Sequence, residues 1–160
     1  MRHEQLLESN CAISRTGAIL GERWVFAILR AAYLRARTFE DYLEATGIAR
    51  NVLADRLRRL VDFGILERKP YEESAKRQRS EYRLTQAGLD LYPVVVAMME
   101  WGNKHGGFID GPPMLLRHRT CGAITHPKLT CDHCGEEVLA REVEPLAGPG
   151  AKPAGAEAAG

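Results

Sequence analysis

Between Ile48 and Leu84 the chain changes its hydrophobic period, and that change constrains the fold more than any other feature. Leu53, Leu57, Leu60 and Val61 recur at the i, i+4, i+7, i+8 spacing of one helix face. Asn51, Asp55, Arg58, Arg59 and Asp62 fall on the opposite side of the same wheel. Gly64 supplies the helix stop. Ile65 to Lys69 then reads as a strand, Tyr71 to Arg79 as a polar loop, and Glu81 to Leu84 as a returning strand. A helix with an Arg-rich outer face, followed by a basic hairpin, suits an element laid in a DNA groove beside a phosphate-touching wing.

The flanking sequence supplies a body for that element. Leu6 to Leu20 reads as one helix, with Leu7, Cys11, Ser14 and Ala18 on a stripe, and Gly21 interrupts it. A second helix, Arg23 to Leu34, carries Trp24, Val25, Phe26, Ile28 and Leu29 as core. Thr38 and Asp41 have capping-box spacing, and a short helix using Phe39, Tyr42 and Leu43 runs from there to Gly47. With the helix after it, this makes a helix–turn–helix unit. Thr85 then caps a long helix toward His105 that bears two apolar stripes. One stripe serves the chain's own core, and the other calls for a second copy, hence a homodimer.

The expected organisation is a DNA-binding and dimerisation domain over residues 1–110, a Cys/His extension over 111–144 and a disordered tail over 145–160. The fold class is mainly α with a small β hairpin: a winged helix–turn–helix with flanking N- and C-terminal dimerisation helices, plus a small Cys-rich β segment. Net charge is only +1, but residues 50–79 hold nine Lys or Arg against five Asp or Glu, +4 on a remainder of −3. A focused basic zone on a near-neutral chain fits one face bound to a polyanion. Met1 to Gln5 has no signal-peptide core after it, and the longest apolar run, Leu91 to Met99, contains Pro93 and is too short to span a bilayer. A cytoplasmic protein without a membrane partner is expected, in which four cysteines are reduced, redox-active or metal-bound.

Cys11, Gly21-Glu22-Arg23-Trp24, Ile28-Leu29-Arg30, Phe39, Asn51 to Leu57, Phe63 to Arg68, Glu81 to Thr85 and Gly88 stand in an order and spacing that resembles the HxlR-type winged-helix transcriptional regulators. The likeness covers about residues 10 to 105. It departs at Ala12, where the family usually has Pro, and at Ala49-Arg50, where a Ser-Pro type of capping pair commonly opens the recognition helix. The resemblance implies a homodimeric repressor or activator on a palindromic operator in double-stranded DNA. It further implies that Cys11, in the position of a thiol several members use to sense oxidants or electrophiles, is a candidate redox sensor. Arg15, four residues on, would favour the thiolate, and a half-buried packing role is the alternative.

Within the helix–turn–helix, Arg50, Asn51 and Asp55 are the candidates for base edges, since Arg pairs with guanine, Asn with adenine and Asp with cytosine. Arg58 and Arg59 are placed for phosphates, Thr38 for a phosphate at the first helix, and Lys76, Arg77 and Arg79 for backbone or minor-groove contact at the wing. A solvated charge is the plain alternative for each, and it is favoured for Arg59. Farther on, His118-x2-Cys121-Gly122 and Cys131-x2-Cys134-Gly135 have the composition of two metal-binding turns, so a structural Zn²⁺ is expected on His118, Cys121, Cys131 and Cys134. His126 and His133 compete as fourth ligand, and ordinary thiols on a hairpin are the alternative.

No phosphate loop, nucleophile elbow or paired-carboxylate constellation is present, so an enzyme is not expected. A protein-interaction module, or a regulator answering a small molecule without thiol sensing, is the other reading.

Overall fold

The computed structural model describes residues 3–72 and 78–152. Its elements run α1 (His3–Glu8), α2 (Ala12–Leu20), α3 (Val25–Tyr33), α4 (Phe39–Thr46), α5 (Arg50–Asp62), β1 (Leu66–Glu72), β2 (Gln78–Leu84), α6 (Gln86–Asp90), α7 (Tyr92–His105), β3 (Leu116–Arg117) and β4 (Ile124–Thr125). They form two compact units, Met1–Val95 and Val96–Ala154.

In the first unit the leucine spacing of α5 has the consequence its period demands. Leu53, Leu57 and Leu60 are fully buried, against Ile28 and Leu29 of α3, Tyr42 of α4 and Leu66 of β1. β1 and β2 pair antiparallel with Leu66 opposite Leu84 and Arg68 opposite Tyr82, and a bridge from Thr38 to Glu81 adds a third short edge. This is a winged helix, as expected. Tyr42 carries its hydroxyl into the core, where it donates to the Tyr82 carbonyl at 3.4 Å. Burial pushes that hydroxyl's pKa up to about 12, so it stays protonated.

Three local expectations are corrected. Leu6 to Leu20 is two helices, broken at Ser9–Cys11. The break is satisfied locally, because Ser9 Oγ accepts from the Cys11 N–H at 3.2 Å and Arg15 Nε donates to the Ser9 carbonyl at 2.6 Å. The helix capped by Thr85 ends at Asp90, and a new one begins at Tyr92. Pro93 is the cause: it has no N–H to continue the ladder and would crowd the carbonyl four residues back. The wing loop is shorter than Tyr71–Arg79, since pairing continues out to Glu72 opposite Gln78. A two-stranded ribbon needs only backbone partners, so polar sequence does not end it.

The capping box of α4 is complete. Thr38 Oγ1 accepts from the Asp41 N–H at 3.2 Å, while Asp41 Oδ2 accepts from the N–H groups of Thr38 at 2.8 Å and Arg37 at 2.9 Å. Those donors, Thr38 first, hold the Asp41 carboxyl below its usual range. A carboxyl whose folded pKa is depressed stabilises the fold above its unfolded pKa, and loses that contribution as pH falls through the folded value. Asp41→Asn is therefore expected to flatten the loss of thermal stability on acidification below the usual carboxylate range. Identical acid limbs in the two proteins would remove the carboxylate from this role.

Candidate nucleic-acid interface

Opposite its leucine face, α5 presents Arg50, Asn51, Ala54 and Arg58 to solvent, with Asp55 partly exposed. The helix opens at Ala49 with no side-chain cap, so its first amides face outward without a protein acceptor from that residue. Arg50 leans back on α4: its guanidinium meets the Glu40 carboxylate (Nη1 to Oε2, 3.1 Å) and lies 5.2 Å from the centre of the Phe39 ring. The hydrogen bonds it donates to Glu40 push its pKa further up.

Asp55 is flanked by two arginines, Arg58 on one oxygen and Arg56 at 2.5 Å on the other. Arg58 remains the more open, with 70% of its side chain exposed. Each Asp55 oxygen keeps a second lone pair, so the carboxylate can accept from a base with both arginines in place.

Arg59, for which a solvated charge is the favoured reading over a phosphate contact, is engaged within the protein. Its guanidinium pairs with Glu22, which also holds Arg56 at 3.0 Å. Glu22 comes from the turn between α2 and α3, where Trp24 takes left-handed backbone at φ 81°. That conformation costs a bulky residue roughly 1–2 kcal/mol, so the turn is held by its surroundings. Sequence reasoning assigned no role to Glu22. Its position inside the Gly21-Glu22-Arg23-Trp24 motif was the available signal.

The outer face of α5 does not end at the helix. Asn51, Ala54, Asp55, Arg58 and Val61 line one wall of an open concave surface of about 550 Å³, and Arg68 and Tyr82 of the hairpin line the other. Arg68 was counted as basic but not singled out. Strand alternation could have found it: Leu66 is buried, and two residues on, Arg68 shares its face, the one turned toward α5. Thr38 sits at the start of α4, its hydroxyl engaged in the cap. Lys76 and Arg77 lie outside the described residues, as does the side chain of Arg79.

Cys11 stands exposed just before α2 and not within a helix shared with Leu7, and the Arg15 guanidinium is turned to the Ser9 and Glu8 carbonyls. In the second unit His118 and Cys121 form a pair (Nδ1 to Sγ, 3.3 Å), and Cys131 and Cys134 form another. Among the described residues no three His, Cys, Asp or Glu side chains converge on one point. No helix among them is long and apolar enough to cross a membrane.

Residues 19–109 match the family described as HxlR-like helix-turn-helix. The chain is 45% identical over 141 residues to the uncharacterized HTH-type transcriptional regulator Rv3095 of Mycobacterium tuberculosis (strain ATCC 25618 / H37Rv), covering 88% of each chain. It is 33% identical over 94 residues to the uncharacterized HTH-type transcriptional regulator sll1512 of Synechocystis (strain ATCC 27184 / PCC 6803 / Kazusa), covering 58% of this chain and 68% of that one. Among solved structures it resembles PA1607, described as a candidate transcription factor, with a TM-score of 0.79 and 28% identity, over 88% of this chain and 96% of that one. It also resembles PA1374 of Pseudomonas aeruginosa, of the same description (TM-score 0.64, 33% identity, 89% and 96% covered). The redox regulator HypR in its reduced form is similar over 62% of this chain and 98% of its own, with a TM-score of 0.56 and 25% identity.

Proposed function

Because the chain belongs to the HxlR-like helix-turn-helix family, whose relatives here are transcriptional regulators and not enzymes, we propose that it acts as a homodimer setting two copies of α5 into successive major grooves of a palindromic operator. The observation that carries this is the division of α5: three leucines fully buried on one side, and Asn51, Arg58 and their neighbours on an open surface on the other. Asn51 and Arg50 read base edges, Arg50 on leaving Glu40, and Asp55 accepts from a base through a lone pair its arginines leave open. Arg58, with Thr38 at the head of α4, meets phosphates, and Lys76, Arg77 and Arg79 contact the backbone or minor groove from the wing. Arg59 contributes less, since Glu22 already neutralises it.

Dimerisation is supported by α7, in which no residue is buried and Val94, Met98 and Trp101 recur on one stripe, Trp101 with 68% of its surface exposed. Cys11 is the sensing thiol in this reading. Its support is exposure at the head of a nine-residue helix, together with the similarity to HypR.

Selection of bound sites from random duplexes, followed by salt titration of the selected operator, tests the whole reading. Arg58→Ala is expected to weaken binding about equally on all sequences and to lower the salt slope by about 1, and Asn51→Ala to relax one base position at roughly 1–3 kcal/mol. Diamide should weaken the wild-type complex and leave Cys11→Ser unaffected. Equal loss on every sequence for both α5 variants would remove base readout, and a monomer bound to a single half-site would remove the dimer.

A further inference from the structure

The residues after α7 bury almost nothing of their own: Leu115, Leu129, Leu139 and Val143 are all exposed. A segment with so little core needs another source of order. Its two turns are built alike, residue by residue. In the first, β3 and β4 are joined through His118-Arg119-Thr120-Cys121-Gly122. The Gly122 N–H donates to the His118 carbonyl at 2.8 Å, and the His118 N–H donates to the Ala123 carbonyl at 2.9 Å. In the second, the Thr130–Glu137 bridge is joined through Cys131-Asp132-His133-Cys134-Gly135. The Gly135 N–H donates to the Cys131 carbonyl at 2.8 Å, and the Cys131 N–H to the Glu136 carbonyl at 2.9 Å. The closing glycines match as well, at φ 76° and 75°, left-handed backbone in which a side chain would be strained.

Each turn brings its two metal-ligating groups together. His118 Nδ1 lies 3.3 Å from Cys121 Sγ. Zn–N bonds of about 2.05 Å and Zn–S bonds of about 2.3 Å at a tetrahedral angle put two such ligands roughly 3.5 Å apart. In the second turn the same backbone closure sets Cys131 and Cys134 at the two positions that His118 and Cys121 hold in the first. The competing imidazole of His126 is engaged through Nδ1 by Glu100 at 3.0 Å.

We propose that these two turns are the halves of one zinc site, with His118, Cys121, Cys131 and Cys134 as its ligands. The halves stand as separate pairs in the structure, and the ion is what draws them together, displacing the three thiol protons as it binds. One nitrogen and three sulfurs in tetrahedral array suit zinc above the harder divalent cations. The site lies beyond residue 109, outside the part of the chain that matches the family, and does not depend on the reading of α5.

Metal content of the untagged full-length chain, expressed with added zinc and purified without chelator, tests the proposal without DNA. About one zinc per chain is expected in the wild type, and near none in Cys121→Ser or Cys131→Ser. His118→Cys should keep one zinc and, after exchange for cobalt, show stronger thiolate-to-cobalt absorption than the wild type. Two results overturn the site: wild-type zinc below about 0.1 per chain, or full zinc retained in Cys121→Ser, which would leave only the Cys131–Cys134 pair holding metal.

Discussion

Gly88→Ala is expected to destabilise the winged-helix unit by about 2 kcal/mol, although alanine is the better helix former by roughly 1 kcal/mol. Gly88 is buried in α6, and a Cβ there would meet the Ile65 carbonyl oxygen at 2.3 Å and Leu84 Cδ2 at 2.9 Å. Leucine can rotate away, but the Ile65 oxygen is backbone and already accepts from the Thr85 N–H at 3.1 Å. Relief therefore requires α6 to shift. A shift also strains the bond from the Tyr33 hydroxyl to the Gly88 carbonyl, 2.6 Å long. For a unit of this size the melting temperature should fall by roughly 8–16 °C. Thermal unfolding followed by circular dichroism measures it, and an equal or higher midpoint would mean that α6 does not approach the Ile65 carbonyl this closely.

Glu22→Gln is expected to cost about 2–3 kcal/mol, well above a surface ion pair at roughly 0–1 kcal/mol. The Glu22 side chain is 16% exposed, and those of Arg56 and Arg59 are 22% and 34% exposed. Removing the carboxylate leaves two guanidinium groups close together and poorly hydrated. The loss is smaller than for a fully buried pair because Arg56 keeps Asp55 and Arg59 reaches solvent. A double-mutant cycle with Arg59→Met separates the pair from other effects, and a coupling of at least about 1 kcal/mol is expected. A neutral Glu22→Gln, or no coupling, would make the cluster an ordinary surface feature. Because Glu22 ties the α2–α3 turn to α5, the same variant should also weaken operator binding.

The two variants mark where sequence reasoning stopped. The leucine face of α5, the capping box and the stops at Gly47 and Gly64 were legible, because each depends on residues within about two turns of one another. The same local logic failed where two local signals compete. The run from Leu6 to Leu20 carries a helical stripe but also Ser9 and Asn10, which satisfy backbone groups at a break as readily as within a helix. Past Leu91 the apolar stripes argued for one helix against Pro93, whose effect on the ladder ends one helix and starts another.

A leucine-backed helix with an arginine-bearing outer face, followed by a basic hairpin, is written in the residue order alone, since period and turn chemistry are properties of neighbours along the chain. Which arginines remain available depends on how the chain packs. Glu22 and Arg59 are 37 residues apart, and Arg68 meets the α5 face only because β1 folds back beside it. Charges cancel or combine according to distance through space, and that distance exists only once the core of Ile28, Tyr42, Leu57 and Leu66 has closed.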